Sequence, residues 1–164
     1  MPDGRLRLDY QGTQEEGGVS RREEPGLILS PWQVMQIIGH ARAARPREAC
    51  GILGGRGASV QRIYPLPNTE ESSHRYLAEP QAQVDAMLAM EERGSQIVGI
   101  YHSHLRAPAY PSPTDVDMAA YPSAVYVIVS LSNEGDPILG GFRIQDGEVE
   151  EVTIAIEDRQ RVDG

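Results

Sequence analysis

Two histidines, His102 and His104, stand two residues apart at the end of the apolar run "QIVGIYHSH", and Ser112 and Asp115 follow them in "YPSPTD". Side chains alternate faces along a β-strand, so both imidazoles project the same way and can reach one ion, with Ser103 on the opposite face. Taken singly, each half has a plain structural explanation. A strand can carry two histidines by chance, and "SPTD" reads as a helix start close to a capping box, with Ser112 as N-cap, Pro113 at the first helical position and Asp115 at the third. Placed together, they acquire a common purpose. A helix that starts at the carboxyl end of a buried strand is where α/β proteins build sites, and it would bring Asp115 back toward the two histidines. Two histidines, one aspartate and an open fourth position form a catalytic zinc pattern.

An open zinc position brings the pKa of a bound water to about 7, but hydrolysis also requires a base that takes the proton and hands it to the leaving group. Glu48, in "PREACGIL", sits at the lip of an apolar strand that does not readily bury an unpaired charge, so its position asks for a partner. Without the downstream histidines it would pass for an exposed glutamate at a strand start. Cys50 is the single cysteine, which excludes an internal disulfide and any multi-cysteine zinc site, and a lone thiol in an apolar strand is most simply a small core residue. Any metal must therefore sit on His, Asp or Glu.

The chain that positions these groups has 164 residues, 40% of them hydrophobic, enough for one domain with its own core. The longest apolar run, "SAVYVIVSL", is of strand length and well short of the roughly 20 residues that cross a bilayer. The first residues carry acids and glycines where a secretory signal needs an apolar core, so a cytoplasmic location is expected. A formal charge of −9 speaks against nucleic acid or an anionic membrane as partner and for proteins or small molecules. All fifteen basic residues are arginine and none is lysine, most simply a matter of genomic base composition or salt adaptation.

Residues 1–26 mix charge and glycine without periodicity and read as a flexible tail; residues 27–157 form the domain, and 158–164 a C-terminal tail. "SPWQVMQIIGHARAARP" predicts a first helix capped by Ser30, with Trp32, Met35, Ile38 and Ala41 to Ala43 at helical spacing and His40 on its surface. "EACGILGG" and "ASVQRIYPLPN" predict a hairpin. Pro80 starts a second helix that Gly94 ends, with Val84, Met87 and Leu88 as its buried face. "QIVGIYHSH" has the character of a strand buried on both faces. A short third helix follows at "SPTDVDMAAY", then the strand "SAVYVIVSL" and a terminal hairpin turning at Asp146-Gly147. This order gives an α/β fold in which a mixed β-sheet is sandwiched by helices.

Glu48, then His102-x-His104, seven residues, Ser112, two residues and Asp115 resembles the JAMM motif of MPN domains, the Mov34/MPN/PAD-1 metallopeptidase family. The resemblance runs from about Leu27 to the last strands and includes "EACGIL", "GIYHSH" and "PSPTD". It departs at Leu105, where many relatives have proline, which loosens a loop but removes no ligand. The resemblance implies a cytidine-deaminase-like MPN architecture, zinc held by His102, His104 and Asp115, Glu48 as general base and then acid, and Ser112 as hydrogen-bond donor to the oxyanion. It further implies a hydrolase acting at the C-terminal tail of a ubiquitin-like or sulfur-carrier protein, of the compact bacterial kind.

A non-catalytic MPN scaffold is the competing function, and the intact five-residue set stands against it. A zinc nucleoside deaminase would need a P-C-x-x-C pattern that one cysteine cannot supply. Among the remaining residues, Asp117 reads as a first-turn charge favoured by the helix dipole and His74 as a loop residue. Tyr101 and Tyr110 suit either the substrate groove or packing.

Overall fold

A capping box sets the first helix. Ser30 Oγ accepts from the Gln33 amide, the Gln33 side chain returns a bond to the Ser30 amide, and Pro31 fills the first helical position of α1, Pro31–Ala44. The computed structural model describes residues 24–158 except 71, 72, 74 and 134. Most of both expected tails, and His74, lie outside the described residues.

In chain order the elements are β1 (Leu27–Leu29), α1, β2 (Cys50–Arg56), β3 (Ser59–Leu66), α2 (Pro80–Glu92), β4 (Gln96–His104), α3 (Pro113–Met118), β5 (Val125–Ser130), β6 (Ile138–Gln145), β7 (Glu148–Val152) and β8 (Ile154–Ile156). The strands join in the order β7-β6-β5-β4-β2-β3-β1-β8. The sheet is mixed: β4 and β5 run parallel, as do β1 with β3 and β1 with β8, while the other pairs are antiparallel. A parallel pair demands a long crossover, and the β4-to-β5 connection, which carries α3, supplies it.

Strand alternation assigns the helices to opposite faces. Leu53, Tyr101, Val127 and Val129 point toward α1, where Val34, Ile37 and Ala41 meet them. Cys50, Ile52 and Leu66 point the other way, onto Ala86 and Met90 of α2. Tyr126, Ile128 and Phe142 share that second face and receive Val116 and Ala119, from α3 and its end. His102 belongs to the same face, since it pairs in register with Cys50 and Ile128.

Three expectations are corrected. On α1 the buried stripe is Val34, Ile37 and Ala41, whereas Trp32 and Met35 are 68% and 65% exposed. An apolar helix with more than one candidate stripe is oriented by the sheet beneath it, not by its largest side chains. On α2 the buried residues are Ala86 and Met90, with Val84 and Leu88 about half exposed and Met87 only partly buried. A small alanine lets the helix approach, and Met90 fills the space left above Gly54, which has no side chain. The terminal hairpin is real for β6 and β7 and turns through positive φ at Asp146 and Gly147, but it stops at Val152. Beyond Thr153, β8 leaves for β1, which presents an open edge and gains three parallel pairs. One residue spans only about 3.5 Å, so the two ends of the strand order meet at Thr153 and the sheet is rolled. Its carbonyl accepts from the Gly26 and Leu27 amides at 2.9 and 3.3 Å.

Candidate active site

β4 ends in the two histidines because its neighbours end there too. Leu131 follows β5 and its amide donates to the His104 carbonyl at 2.9 Å, closing the strand end. His102 and His104 are almost fully buried, at 1% and 4% exposure. Their Nε2 atoms lie 3.2 Å apart, and Asp115 Oδ2 stands 3.1 Å from the first and 3.0 Å from the second. The strand end and the helix start bring two imidazole nitrogens and one carboxylate oxygen to one point, a group that could hold a metal ion.

The helix start is also what aims the aspartate. Ser112 Oγ accepts from the Asp115 amide at 3.0 Å, and the Ser112 amide donates to Asp115 Oδ2 at 2.9 Å. The cap that starts the helix also aims the carboxylate at the histidines, and the Ser112 hydroxyl donates to no acceptor among the described residues. His104 Nδ1 lies 2.8 Å from the Pro108 carbonyl, so that nitrogen carries the proton and Nε2 turns its lone pair toward the cluster. His102 is held by a ring, not a second hydrogen bond. Tyr76 stacks on it at 4.6 Å between centroids and 27° between planes, while His102 Nδ1 is buried without a partner.

Three acceptor atoms this close repel one another unless a proton or cation lies among them. Four-coordinate zinc, with bonds of about 2.0–2.1 Å, sets its ligand atoms about 3.3 Å apart, close to the observed spacing. The donor set therefore fits such an ion. In the metal-free protein, burial pushes the His102 pKa down, against the pull of Asp115. Burial acts on His104 in the same sense, but its bonds to Asp115 and Pro108 prevail and its pKa rises. Asp115 is raised by burial and lowered by the two imidazoles, which win and hold it far below the usual carboxylate range.

Glu48 stands just before β2, 3% exposed, with Oε1 unpartnered. Burial raises its pKa from 4.5 to about 7, His104 opposing and Asp115 assisting. Three bonds fix its backbone neighbourhood. Ser103 Oγ accepts from the Ala49 amide at 2.8 Å, the Ser103 amide donates to the Ala49 carbonyl at 3.0 Å, and Asn68 Nδ2 donates to the Glu48 carbonyl at 2.9 Å. Asn68 Oδ1 also accepts from the amides of Glu70 and Leu77, so one side chain ties the start of β2 to the loop that carries Tyr76.

Beside this cluster opens a cleft of about 170 Å³, with Asp115 among its walls and Tyr76, Leu77, Met118, Tyr121 and Tyr126 around it. Two tyrosines considered from the sequence lie elsewhere. Tyr101 is fully buried on the α1 face, its ring across Gly51, where any Cβ would collide with it. Its hydroxyl is 2.7 Å from His40 Nδ1, so His40 is half-buried and bonded and does not stand free on the surface of α1. Tyr110 packs edge-on against Phe142. Cys50 is buried with its thiol near the Leu66 carbonyl, burial pushing its pKa to about 12, as suits a core residue. Asp117 is exposed.

Tyr76, Asn68 and Tyr126 were not foreseen as site residues. Tyr126 carried a signal, a tyrosine two residues from Ile128 in an apolar strand; its hydroxyl accepts from the Ala120 and Tyr121 amides at 3.0 and 2.9 Å and pins the end of α3. Tyr76 and Asn68 lie in a polar connection whose shape no periodicity encodes.

Residues 33–139 match the model of prokaryotic homologs of the JAB domain. The CysO-cysteine peptidase of Mycobacterium tuberculosis is 37% identical over 135 residues, covering 81% of this chain and 92% of that protein. The desampylase of Haloferax volcanii is 32% identical over 128 residues, covering 74% and 89%. A solution structure of a protein from Desulfitobacterium hafniense superposes with a TM-score of 0.75 at 36% identity, covering 82% of this chain and 95% of that one.

Proposed function

The chain belongs to the prokaryotic JAB-domain family, and from that premise we propose that it is a zinc-dependent hydrolase that cuts a peptide or isopeptide bond at the C-terminal tail of a ubiquitin-like or sulfur-carrier protein. The observation that carries the proposal is the convergence of His102, His104 and Asp115 within 3.2 Å of one another beside a buried, unpartnered Glu48. The names of the two relatives, a peptidase for CysO-cysteine and a desampylase, support the substrate class.

His102, His104 and Asp115 would hold the ion. Zinc at such a site supplies Lewis acidity and makes water acidic enough to ionise near neutral pH. Glu48 takes the proton of the attacking water, whose oxygen adds to the carbonyl carbon, and returns that proton to the nitrogen as the C–N bond breaks, leaving a carboxylate and an amine. Ser112 donates its hydroxyl proton to the oxygen that gains charge meanwhile. A pKa near 7 suits a group that must both accept and release a proton at neutral pH. Ser103 and Asn68 hold the backbone of β2 at that carboxylate, and Tyr76 orients the His102 ring. The working unit is residues 27–157.

A scaffold has no use for this arrangement, because burying a carboxylate without a partner costs stability that only function repays. The test incubates the zinc-loaded protein with sulfur-carrier proteins extended beyond their C-terminal residue and follows trimming by mass spectrometry. Trimming that depends on both zinc and Glu48 is expected. Trimming that survives Glu48→Gln, or its absence from every carrier offered, refutes the proposal.

A further inference from the structure

The chain carries nine more acidic than basic charges, yet the fold gathers four arginines at the end of the molecule where the site lies. α1 runs toward that end, so Arg42, Arg45 and Arg47 arrive, all exposed, immediately before Glu48. Arg42 and Arg45 share a cleft with Leu131 and Asn133, and it is Leu131 whose amide bonds the His104 carbonyl. Arg106, two residues past His104 and also exposed, is kept there by Ser130 Oγ, which donates to the neighbouring Ala107 carbonyl at 2.7 Å. Arg47 Nη1 donates to the Asn68 carbonyl at 3.2 Å.

None of these four forms an ion pair with a described carboxylate, although Asp136 sits in the loop that borders the cleft. Arg75, nearer the tyrosine-lined cleft, pairs with Glu70 at 3.4 Å and is not counted with them. A helix C-terminus favours cations and accounts for Arg42 and Arg45, but Arg47 and Arg106 lie off the helix. Four guanidiniums with no ion pair among the described residues, at the sheet end where β4 finishes and β2 begins, form a local field of opposite sign to the whole chain.

We propose that this arginine rim is a docking surface for an acidic face of the protein substrate, held there while its tail enters the site. The identity of the partner rests on the carrier-hydrolase function proposed above. A folded carrier needs to offer only a local group of carboxylates, which guanidinium forks bind in pairs. A nucleic acid would extend its charge past the rim and meet the acidic remainder of the chain. Rim charges of this kind steer association and strengthen the encounter without touching the reacting atoms.

The test measures binding apart from turnover. The sulfur-carrier protein of the same organism, extended at its C-terminus by one cysteine and labelled, is titrated by fluorescence anisotropy with the unaltered protein and with the triple variant Arg42→Glu, Arg45→Glu, Arg106→Glu. Arg47 is spared because of its bond to Asn68. At roughly 50 mM salt the variant's Kd is expected to be weaker by about tenfold or more, and at roughly 300 mM the two proteins converge. Its thermal melt stays that of the parent, and zinc-loaded variant and parent cleave a synthetic tail peptide at equal rates. An unchanged Kd, or no carrier binding by the unaltered protein, overturns the proposal. So does single-stranded RNA that binds more tightly than the carrier and is the ligand lost in the variant. A carrier bound through the arginines but never cleaved by the zinc-loaded parent refutes the hydrolase function alone and leaves the docking surface standing.

Discussion

Glu48→Gln should make the metal-free protein more stable in alkali while abolishing hydrolysis. In the unfolded chain the carboxyl titrates near its ordinary value of 4.5, and in the folded protein burial holds it protonated up to about 7. As pH rises through this window the unfolded state releases its proton first, so deprotonation favours unfolding and stability falls. A gap of about 2.5 pH units at about 1.36 kcal/mol each sets a ceiling of about 3 kcal/mol. The surroundings of the buried carboxylate relax when it becomes charged, and about 1–2 kcal/mol is the expected effect.

Glutamine keeps the shape and carries no charge, so its stability has no such dependence. Urea denaturation of the metal-free parent and variant from pH 4.5 to 9 measures the difference. The two should coincide near the acid end, draw apart as pH rises from about 4.5 to about 7, and stay apart by a constant amount above that, with the variant ahead. A variant less stable than the parent at pH 8 to 9 would show that Glu48 is stabilised by a partner as a carboxylate, and the case for an idle, buried base would fall with it.

Loss of a ligand should remove the metal where loss of the base does not: Asp115→Ala and His102→Ala are expected to bind no zinc by elemental analysis, and Glu48→Gln one per chain. Ser112→Ala should lower kcat by on the order of 10²-fold, the scale of one oxyanion donor, and cost about 1 kcal/mol as a lost cap; activity that falls only with the folded fraction in a parallel melt would leave Ser112 a cap and nothing more. Tyr76→Leu should weaken zinc affinity, by about tenfold, in a chelator competition, because the ring that fixes the His102 plane is gone. Asn68→Ala should reduce kcat through its lost bond to the Glu48 carbonyl and also weaken zinc affinity, though by less than Tyr76→Leu, because it helps hold the loop that carries Tyr76.

The legible parts of the site were those that depend on local geometry. Strand alternation places His102 and His104 on one face whatever surrounds them, and Ser112-Pro113 writes a helix start that three-dimensional context need not supply. What the sequence left open was whether "SPTD" is a cap or part of a site, and the two readings are compatible. Asp115 Oδ2 accepts from the Ser112 amide and faces both imidazoles with the same oxygen, so the bond that starts the helix also orients the carboxylate toward them. The unreadable parts were non-local. Which stripe of α1 and α2 is buried depends on the curvature of a sheet whose two ends meet at Thr153, and a helix sequence with several apolar stripes does not record that curvature. Tyr76 and Asn68 act across a loop joining Leu66 to α2, where contact is set by closure of the chain, not by a repeat. Even the charge follows this division: the arginines of "HARAARPRE" are plain in the sequence, but only the crossover that carries the chain from β4 to Leu131 sets Leu131 in one cleft with Arg42 and Arg45.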